Sequence, residues 1–494
     1  MHHPLLRALP FGHTALALLL AALLAGCAAG PDHQSPNPLA EGALPTLAAP
    51  VPTGMADAAF GAAQPWRTDI ALEAPWWQQL GSPALDALVA EALQASPTLA
   101  AAQAQLRQAE ELQGAQQRAT QLPRADLGVG SGRQHFSPSA QGLPGDGRTF
   151  SLHSASVAVQ YQLDLSGGNR RALEALAART DYRRYQLAGA RLDLAARLAS
   201  TAITQARIAA QAEALETIAR NQEAQTTLAG ERVRLGQAMP ADQQAVQAAL
   251  EQTRASALLL HKQAVQSAHL LAVLAGRTPG AQPLPAFTLQ DFMLPAALPQ
   301  VLPSELVRQR PDIQAAEALV HAASAEHGVA VSRMYPQLRL SASLGSQALT
   351  TGALFGGGSA VWGLLAQLTQ PLFDPALPAQ RRAALAALDA AAAQYQAVVL
   401  DALRSVADAL RAAEADAQVL GTLVRADTAA QASLHSTQQQ LDLGATGYVQ
   451  WLVAEQQALQ VRSNLVAAQA QRLSDSAALF QAVGAGWAGA ASPQ

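Results

Sequence analysis

Residues 97–114 read PTLAAAQAQLRQAEELQG, and residues 311–328 read PDIQAAEALVHAASAEHG. Pro97, Ala101, Ala102, Ala104, Ala109 and Gly114 recur as Pro311, Ala315, Ala316, Ala318, Ala323 and Gly328, each 214 positions on. Downstream, Pro123 matches Pro336 at an offset of 213, Tyr185 matches Tyr395 at 210, and Gly236 matches Gly444 at 208. So slow a drift is what small loop insertions and deletions leave in a duplicated unit. The chain reads as a tandem duplication, and whatever one half builds is built twice.

Each copy changes its period from helix to strand and back. Ser96-Pro97 and Arg310-Pro311 put proline at the first helical position, where its missing N–H costs nothing. Pro123 and Pro336 end these helices. Leu338, Leu340, Ala342 and Leu344 then alternate with Gln337, Arg339, Ser341 and Ser343, a strand with one apolar and one polar face. Val157, Val159, Tyr161 and Leu163 alternate in the same way with Ala158, Gln160 and Gln162. Turn-rich loops at 137–147 and 352–358 join the strands of each pair. Each repeat therefore carries one hairpin, four strands in all.

The helices after the hairpins are long. No proline occurs from Asn169 to Met239 or from Ala379 to Ser492, and a helix of about 65 residues runs roughly 100 Å. Leu187, Leu194, Thr201, Ile208 and Leu215 fall at heptad spacing, with Leu198 and Ala212 near a second seam, which favours supercoiled packing. Each long helix breaks at a glycine, Gly236 with Pro240 and Gly444 with Gly447, and returns. The pattern predicts two long helical hairpins.

Composition narrows the function classes. Charged residues are 14 % of the 494, and 32 Lys+Arg against 36 Asp+Glu is too even a balance for a nucleic-acid binder. The histidines are scattered, and His321 and His327 do not share a helix face, so no metal site is expected. Lys262 lacks the glycine-rich context of a phosphate loop, and Gly128-Val129-Gly130-Ser131-Gly132 matches neither a dinucleotide fingerprint nor a nucleophile elbow. No cofactor and no enzymatic activity are expected.

Residues 1–26 read as a signal peptide: Arg7, then a compact apolar stretch from Thr14 to Leu24, too short for a membrane span. Leu24-Ala25-Gly26-Cys27 resembles the bacterial lipobox, and Cys27 is the only cysteine of the chain, so it is the expected lipidation site. Ala28 stands where an aspartate would resemble an inner-membrane retention signal, which favours the outer membrane. Residues 27–66 read as a Pro/Ala-rich tether without a core. Residues 67–278 form the first repeat with strands about 125–165, 279–303 a linker, 304–487 the second repeat with strands about 337–373, and 488–494 a tail.

Four half-apolar strands cannot close a membrane barrel, because barrels begin at about eight. An open sheet in lipid would leave its edge N–H and C=O groups unsatisfied. Several copies must pool their strands: two would give eight, three twelve. Phe136, Phe150, Phe355 and Trp362 flank the loops and are expected as an interfacial belt or as loop packing.

The chain resembles TolC-type outer-membrane efflux proteins, in the NodT-like lipoprotein branch. The matching stretches are Cys27 with Gly30-Pro31-Asp32, Trp76-Trp77 with Leu85-Asp86-Ala87-Leu88, and Tyr161-Gln162-Leu163-Asp164-Leu165. They continue with Leu271 through Gly276, Leu302-Pro303-Ser304, Arg310-Pro311-Asp312-Ile313, Gln370-Pro371-Leu372-Phe373 and Val483-Gly484-Ala485-Gly486-Trp487. The resemblance implies a mainly α fold with a transmembrane β-barrel. In it a homotrimer forms a twelve-stranded barrel and an α-helical periplasmic tunnel. It further implies a passive duct in outer-membrane lipid, docked with a periplasmic adaptor protein and an inner-membrane pump, usually proton-driven, that exports drugs or other small molecules. A duct of a type I protein-secretion system shares this fold, and a non-channel periplasmic coiled-coil lipoprotein is a further alternative. The channel tips would be Gly236 with Asp242, which matches the family's tip aspartate or caps the helix after Pro240, and Gly444 with Gly447. The chain departs from the family at Pro375-Ala376, where glycines are common. It departs again where an acidic ring is expected at the entrance: Gln450 and Val453 hold those positions, with Glu455 only nearby.

Overall fold

The computed structural model describes residues 30, 32–34, 58–70, 75–138, 142, 144–281, 284–300 and 309–486. The signal peptide, Cys27, most of the tether, Leu302-Pro303-Ser304 and the tail lie outside the described residues. The first copy comprises α1 (Pro83–Ala95), α2 (Pro97–Gln121), β1 (Arg124–Phe136), β2 (Arg148–Leu163), α3 (Gly168–Arg234) and α4 (Pro240–Leu274). The second comprises α5 (Pro311–Ser332), β3 (Gln337–Ala348), β4 (Ala360–Thr369), α6 (Ala376–Asp442) and α7 (Tyr448–Ala482). Both long helices hold 67 residues and both return helices 35, so the repeat in the sequence is a repeat of the backbone.

The chain packs as two compact units. One contains residues 106–182 and 316–395 with the N-terminal residues up to 36. Its centre is an antiparallel sheet in the order β1-β2-β3-β4. The register lines up Leu127, Val157, Leu344 and Trp362 across all four strands, and the rows through Val159, Ala342 and Leu364 and through Leu163, Leu338 and Leu368 lie on the same face. The opposite face carries Asp126, Ala158, Ser343 and Gly363 in one row and Gln162, Arg339 and Gln367 in another. Period-two alternation on each strand thus becomes one apolar and one polar face on the sheet. On the helical side of this unit the buried guanidinium of Arg171 donates to Asp32 Oδ1 at 2.6 Å and pairs with Glu174. His33 stacks on His321, ring centroids 4.3 Å apart, and His321 in turn meets Glu174 at 2.9 Å.

The other unit holds residues 37–105, 183–315 and 396–494. Along α3 the heptad positions Leu187, Leu194, Leu198, Ile208 and Ala212 are buried, and so are Ala195, Ala199, Ala202 and Ala206 between them. Alanine at those positions lets backbones approach on more than the one seam that the heptads mark. Trp76 stacks on Phe480 at 6.3 Å, and Phe287, Phe292 and Leu298 are buried.

The stretches expected as a tether without a core and as a linker between the repeats pack here where they are described. Arg472, 2 % exposed, donates to the carbonyls of Phe60 at 2.7 Å and Ala62 at 2.8 Å. Gln64, also buried, donates to Pro295 O at 3.0 Å and Ser476 Oγ at 3.1 Å. Trp66–Arg67 pairs in parallel with Leu298–Pro299. The physical reason is backbone satisfaction: residues 58–67 form only a two-residue strand pairing, and Arg472 of α7 takes up two of the remaining carbonyls.

The return helices close on matching glycines. Gly276 and Gly484 have φ of +79° and +78°, and a Cβ on them would fall 2.6 Å from Ala95 O and 2.8 Å from Gln309 O. Gly276→Ala and Gly484→Ala should each lower stability by more than about 1 kcal/mol in chemical denaturation. Gly421→Ala, inside α6 with its nearest neighbour atom at 3.8 Å, should be neutral or stabilising by up to about 1 kcal/mol.

Candidate functional site

The tips of the two helical hairpins are built alike. Gly236 (φ +71°) and Gly444 (φ +70°) each end a long helix in the left-handed conformation. At the first tip Gly236 N donates to Val233 O at 3.0 Å and Gln237 N to Arg232 O at 2.8 Å. At the second, Gly444 N donates to Leu441 O at 3.0 Å and Ala445 N to Gln440 O at 2.8 Å. This paired closure satisfies the last carbonyls and requires a residue without a Cβ penalty at positive φ. The return helices start differently. Asp242 Oδ2 accepts from Met239 N at 3.1 Å, a helix cap behind Pro240. Gly447 begins α7 with no side-chain cap.

Behind the turns the two hairpins share a core of Ala229, Val246, Leu441, Tyr448 and Trp451, with Leu434 and Leu452 against it. The Arg232 guanidinium lies 5.9 Å from the centre of the Tyr448 ring, within cation–π range. The turns themselves expose Leu235, Met239 and Leu443, and α7 exposes Val449, Gln450 and Val453. Glu455 is elsewhere. Expected only near the entrance positions, it is 4 % exposed and accepts from Gln222 Nε2 at 2.7 Å. Two residues turn a helix by about 200°, which carries Glu455 from the exposed face of Val453 to the packed face of Tyr448, Trp451 and Ala458. Sequence reasoning missed the Tyr448–Trp451–Glu455–Ala458 face, although its helical spacing was readable. It also missed Arg232 and the apolar turn residues.

The sheet is the second candidate surface. Its apolar face is exposed, with Trp362 at 80 % and Leu364 at 78 %. By register Phe150 pairs with Gln134 and Phe136 with Arg148, on the face opposite Trp362, so these two phenylalanines do not form a belt with it. β1 and β4 are both edge strands. Among the described residues no group of three or more His, Cys, Asp or Glu side chains could hold a metal ion.

Burial, opposed only by the hydrogen bond from Gln222, pushes the Glu455 carboxyl up from 4.5 to about 7. A carboxyl raised in the fold is protonated more readily there than in the unfolded chain. Stability therefore falls as pH climbs through the interval from about 4.5 to about 7 and levels off above it. Glu455→Gln removes this ionisation while keeping a partner for Gln222. Thermal unfolding should show the variant more stable at about pH 8, on the order of 2–3 kcal/mol, with the gap closing near pH 4.5. Parallel pH profiles for both proteins would contradict the assignment.

Comparison with known proteins agrees with this architecture. The family model described as outer membrane efflux protein matches residues 88–277 and 302–485, once on each copy. The toluene efflux pump outer membrane protein TtgF of Pseudomonas putida is 28 % identical over 480 residues, covering 96 % of each chain. The outer-membrane channel OprN superposes with a TM-score of 0.83 at 25 % identity, covering 93 % of this chain and all of that one. VceC of Vibrio cholerae superposes at 0.76 with 26 % identity over 83 % of this chain and 98 % of its own. The duplicated hairpins, the amphipathic sheet and the family match place the chain in the outer membrane efflux protein family.

Proposed function

We propose that this chain is the outer-membrane duct of a tripartite efflux system and works as a head-to-tail homotrimer. The observation that carries the assembly is a contact made between the two copies inside one chain and left unmade at the chain's other ends. β2 of the first copy pairs with β3 of the second, and α3 pairs with α5 through Arg179–Glu326 and Glu174–His321. Carried one repeat further, the same contacts require β4 to pair with β1, and α6 with α2, of another copy. Those surfaces are open: both strands are edges, and Leu112 of α2 and Leu385 of α6 are exposed. Such heterologous contacts close into a ring, and three copies supply twelve strands, ample for a water-filled lumen.

The faces of the sheet fit this reading. The apolar face suits lipid, and the Gly, Ser and Gln rows suit a lumen that small molecules cross passively. The apolar turn residues Leu235, Met239 and Leu443 offer a docking surface to a periplasmic adaptor, and through it to an inner-membrane pump. Drugs and small apolar compounds are the expected cargo, in keeping with the toluene pump relative. Cys27 is the proposed lipid anchor of the outer-membrane protein. Labelled palmitate should enter the wild type and not Cys27→Ser.

Leu127 stands four residues after Pro123, as Leu340 stands four after Pro336. Leu340 pairs with Tyr161 near the helical end of β2, a place that Leu368 holds on β4. A Leu127→Cys, Leu368→Cys double variant, oxidised in membranes, should therefore run as covalent dimers and trimers. Neither single variant should yield a ladder that extends to the trimer. Monomers alone from the double variant would contradict the ring.

A further inference from the structure

On β1 and β2 the polarity of the lipid-facing side changes at a definite row. The rows Ala125–Val159, Leu127–Val157 and Val129–Ala155 are apolar. The next three on the same face are Ser131–His153, Arg133–Ser151 and His135–Thr149. The register runs through without a bulge, so the switch is in the sequence and not in the backbone. Phe150 and Leu152, alternating with these residues, point to the opposite face. Six neighbouring side chains thus form an outward platform of one arginine, two imidazoles and three hydroxyls, each able to donate a hydrogen bond and none a carboxylate.

The platform is organised. Ser131 Oγ lies 3.0 Å from His153 Nδ1, and Thr149 Oγ1 lies 2.9 Å from His135 Nδ1. Both bonds use Nδ1 and leave Nε2 outside the pair, while Arg133 is exposed between them. Its height is also defined. The α-helices all join the sheet at the ends marked by Arg124, Leu163, Gln337 and Thr369, so Phe136 and Arg148 are at the end remote from them. Ten residues separate Leu163 from His153, about 34 Å along a strand and about 25 Å along the membrane normal at the usual barrel tilt, the height of an outer-membrane apolar band. The second hairpin has no such cation at this level: Ser346, Ala348 and Ala360 stand there.

We propose that this platform binds the phosphorylated sugar headgroup of an outer-leaflet glycolipid, with the acyl chains lying on Leu127, Val129 and Val157. The inference rests on the duct reading, which sets this face toward lipid and this end outward. An acid-free cluster of guanidinium, imidazole and hydroxyl donors is complementary to a phosphate on a saccharide. Direct continuity with an apolar band selects an acylated ligand over a soluble one.

The test uses full-length protein in phosphatidylcholine vesicles containing diphosphorylated lipid A, or lipid A stripped of both phosphates. The protein is extracted and its retained glycolipid counted by native mass spectrometry. Wild type should retain diphosphorylated lipid A at least about tenfold better than the stripped form. The Arg133→Gln, His135→Gln double variant should lose that preference by about tenfold or more. Arg133→Gln by itself, a change at an exposed site, should move in the same direction, and Arg148→Gln on the opposite face should not. Equal retention of the two lipids, or equal retention by wild type and both Arg133 variants, would overturn the proposal. Channel conductance of the same samples separates the two readings: conductance in wild type without headgroup preference refutes the platform alone, and no conductance in wild type refutes the duct.

Discussion

Backbone hydrogen bonding at the two open edges of the sheet is the constraint on which the rest depends. β1 and β4 each carry a row of N–H and C=O groups with no partner strand among the described residues. In water such edges invite aggregation, and in hydrocarbon each unsatisfied group costs several kcal/mol. On the duct reading the apolar band of one face lies in lipid, and the edges then meet each other through further copies. On the proposed assembly the protomer is a segment of a closed structure, and its large exposed apolar area follows from that.

Duplication makes the closure geometric. One chain contains one copy-to-copy joint, the β2–β3 pairing with its α3–α5 contacts, and leaves the complementary halves of the next joint exposed. The equal lengths of α3 and α6, and of α4 and α7, keep the two copies superposable. The departures from equivalence are local. Asp242 caps one return helix, whereas Gly447 starts the other. α5 is largely buried, whereas α2 keeps only Leu99 among its buried residues, as expected where one partner is internal and the other is a neighbouring copy.

Charge is used sparingly, and most of it lies at the surface; a few charged groups are buried. Arg472 fastens the carbonyls of the segment after residue 58, Arg171 fastens Asp32, and burial pushes the Glu455 carboxyl up. Buried charges of this kind contribute little net stability, but removing one partner leaves the other uncompensated. Arg472 and Arg171 hold described parts of an N-terminal segment that has no period of its own to direct it.

By itself the sequence determined everything that repeats or alternates. The offset of about 210 residues predicted two copies. Period-two runs predicted the strands, and uninterrupted apolar helical periods with Gly236 and Gly444 predicted the hairpins. These are local properties, decided by dihedral preferences and by which face a residue falls on. Only the tertiary structure decided what long-range partners do. That Glu455 turns inward to Gln222 depends on how α7 rotates against α3, and that Phe136 and Phe150 lie on the face opposite Trp362 depends on strand register. The packing of residues 58–67 depends on an arginine some 400 positions away. A single sequence records its local periods directly, whereas a buried polar pair leaves no period to read, because its partners are brought together only by the fold.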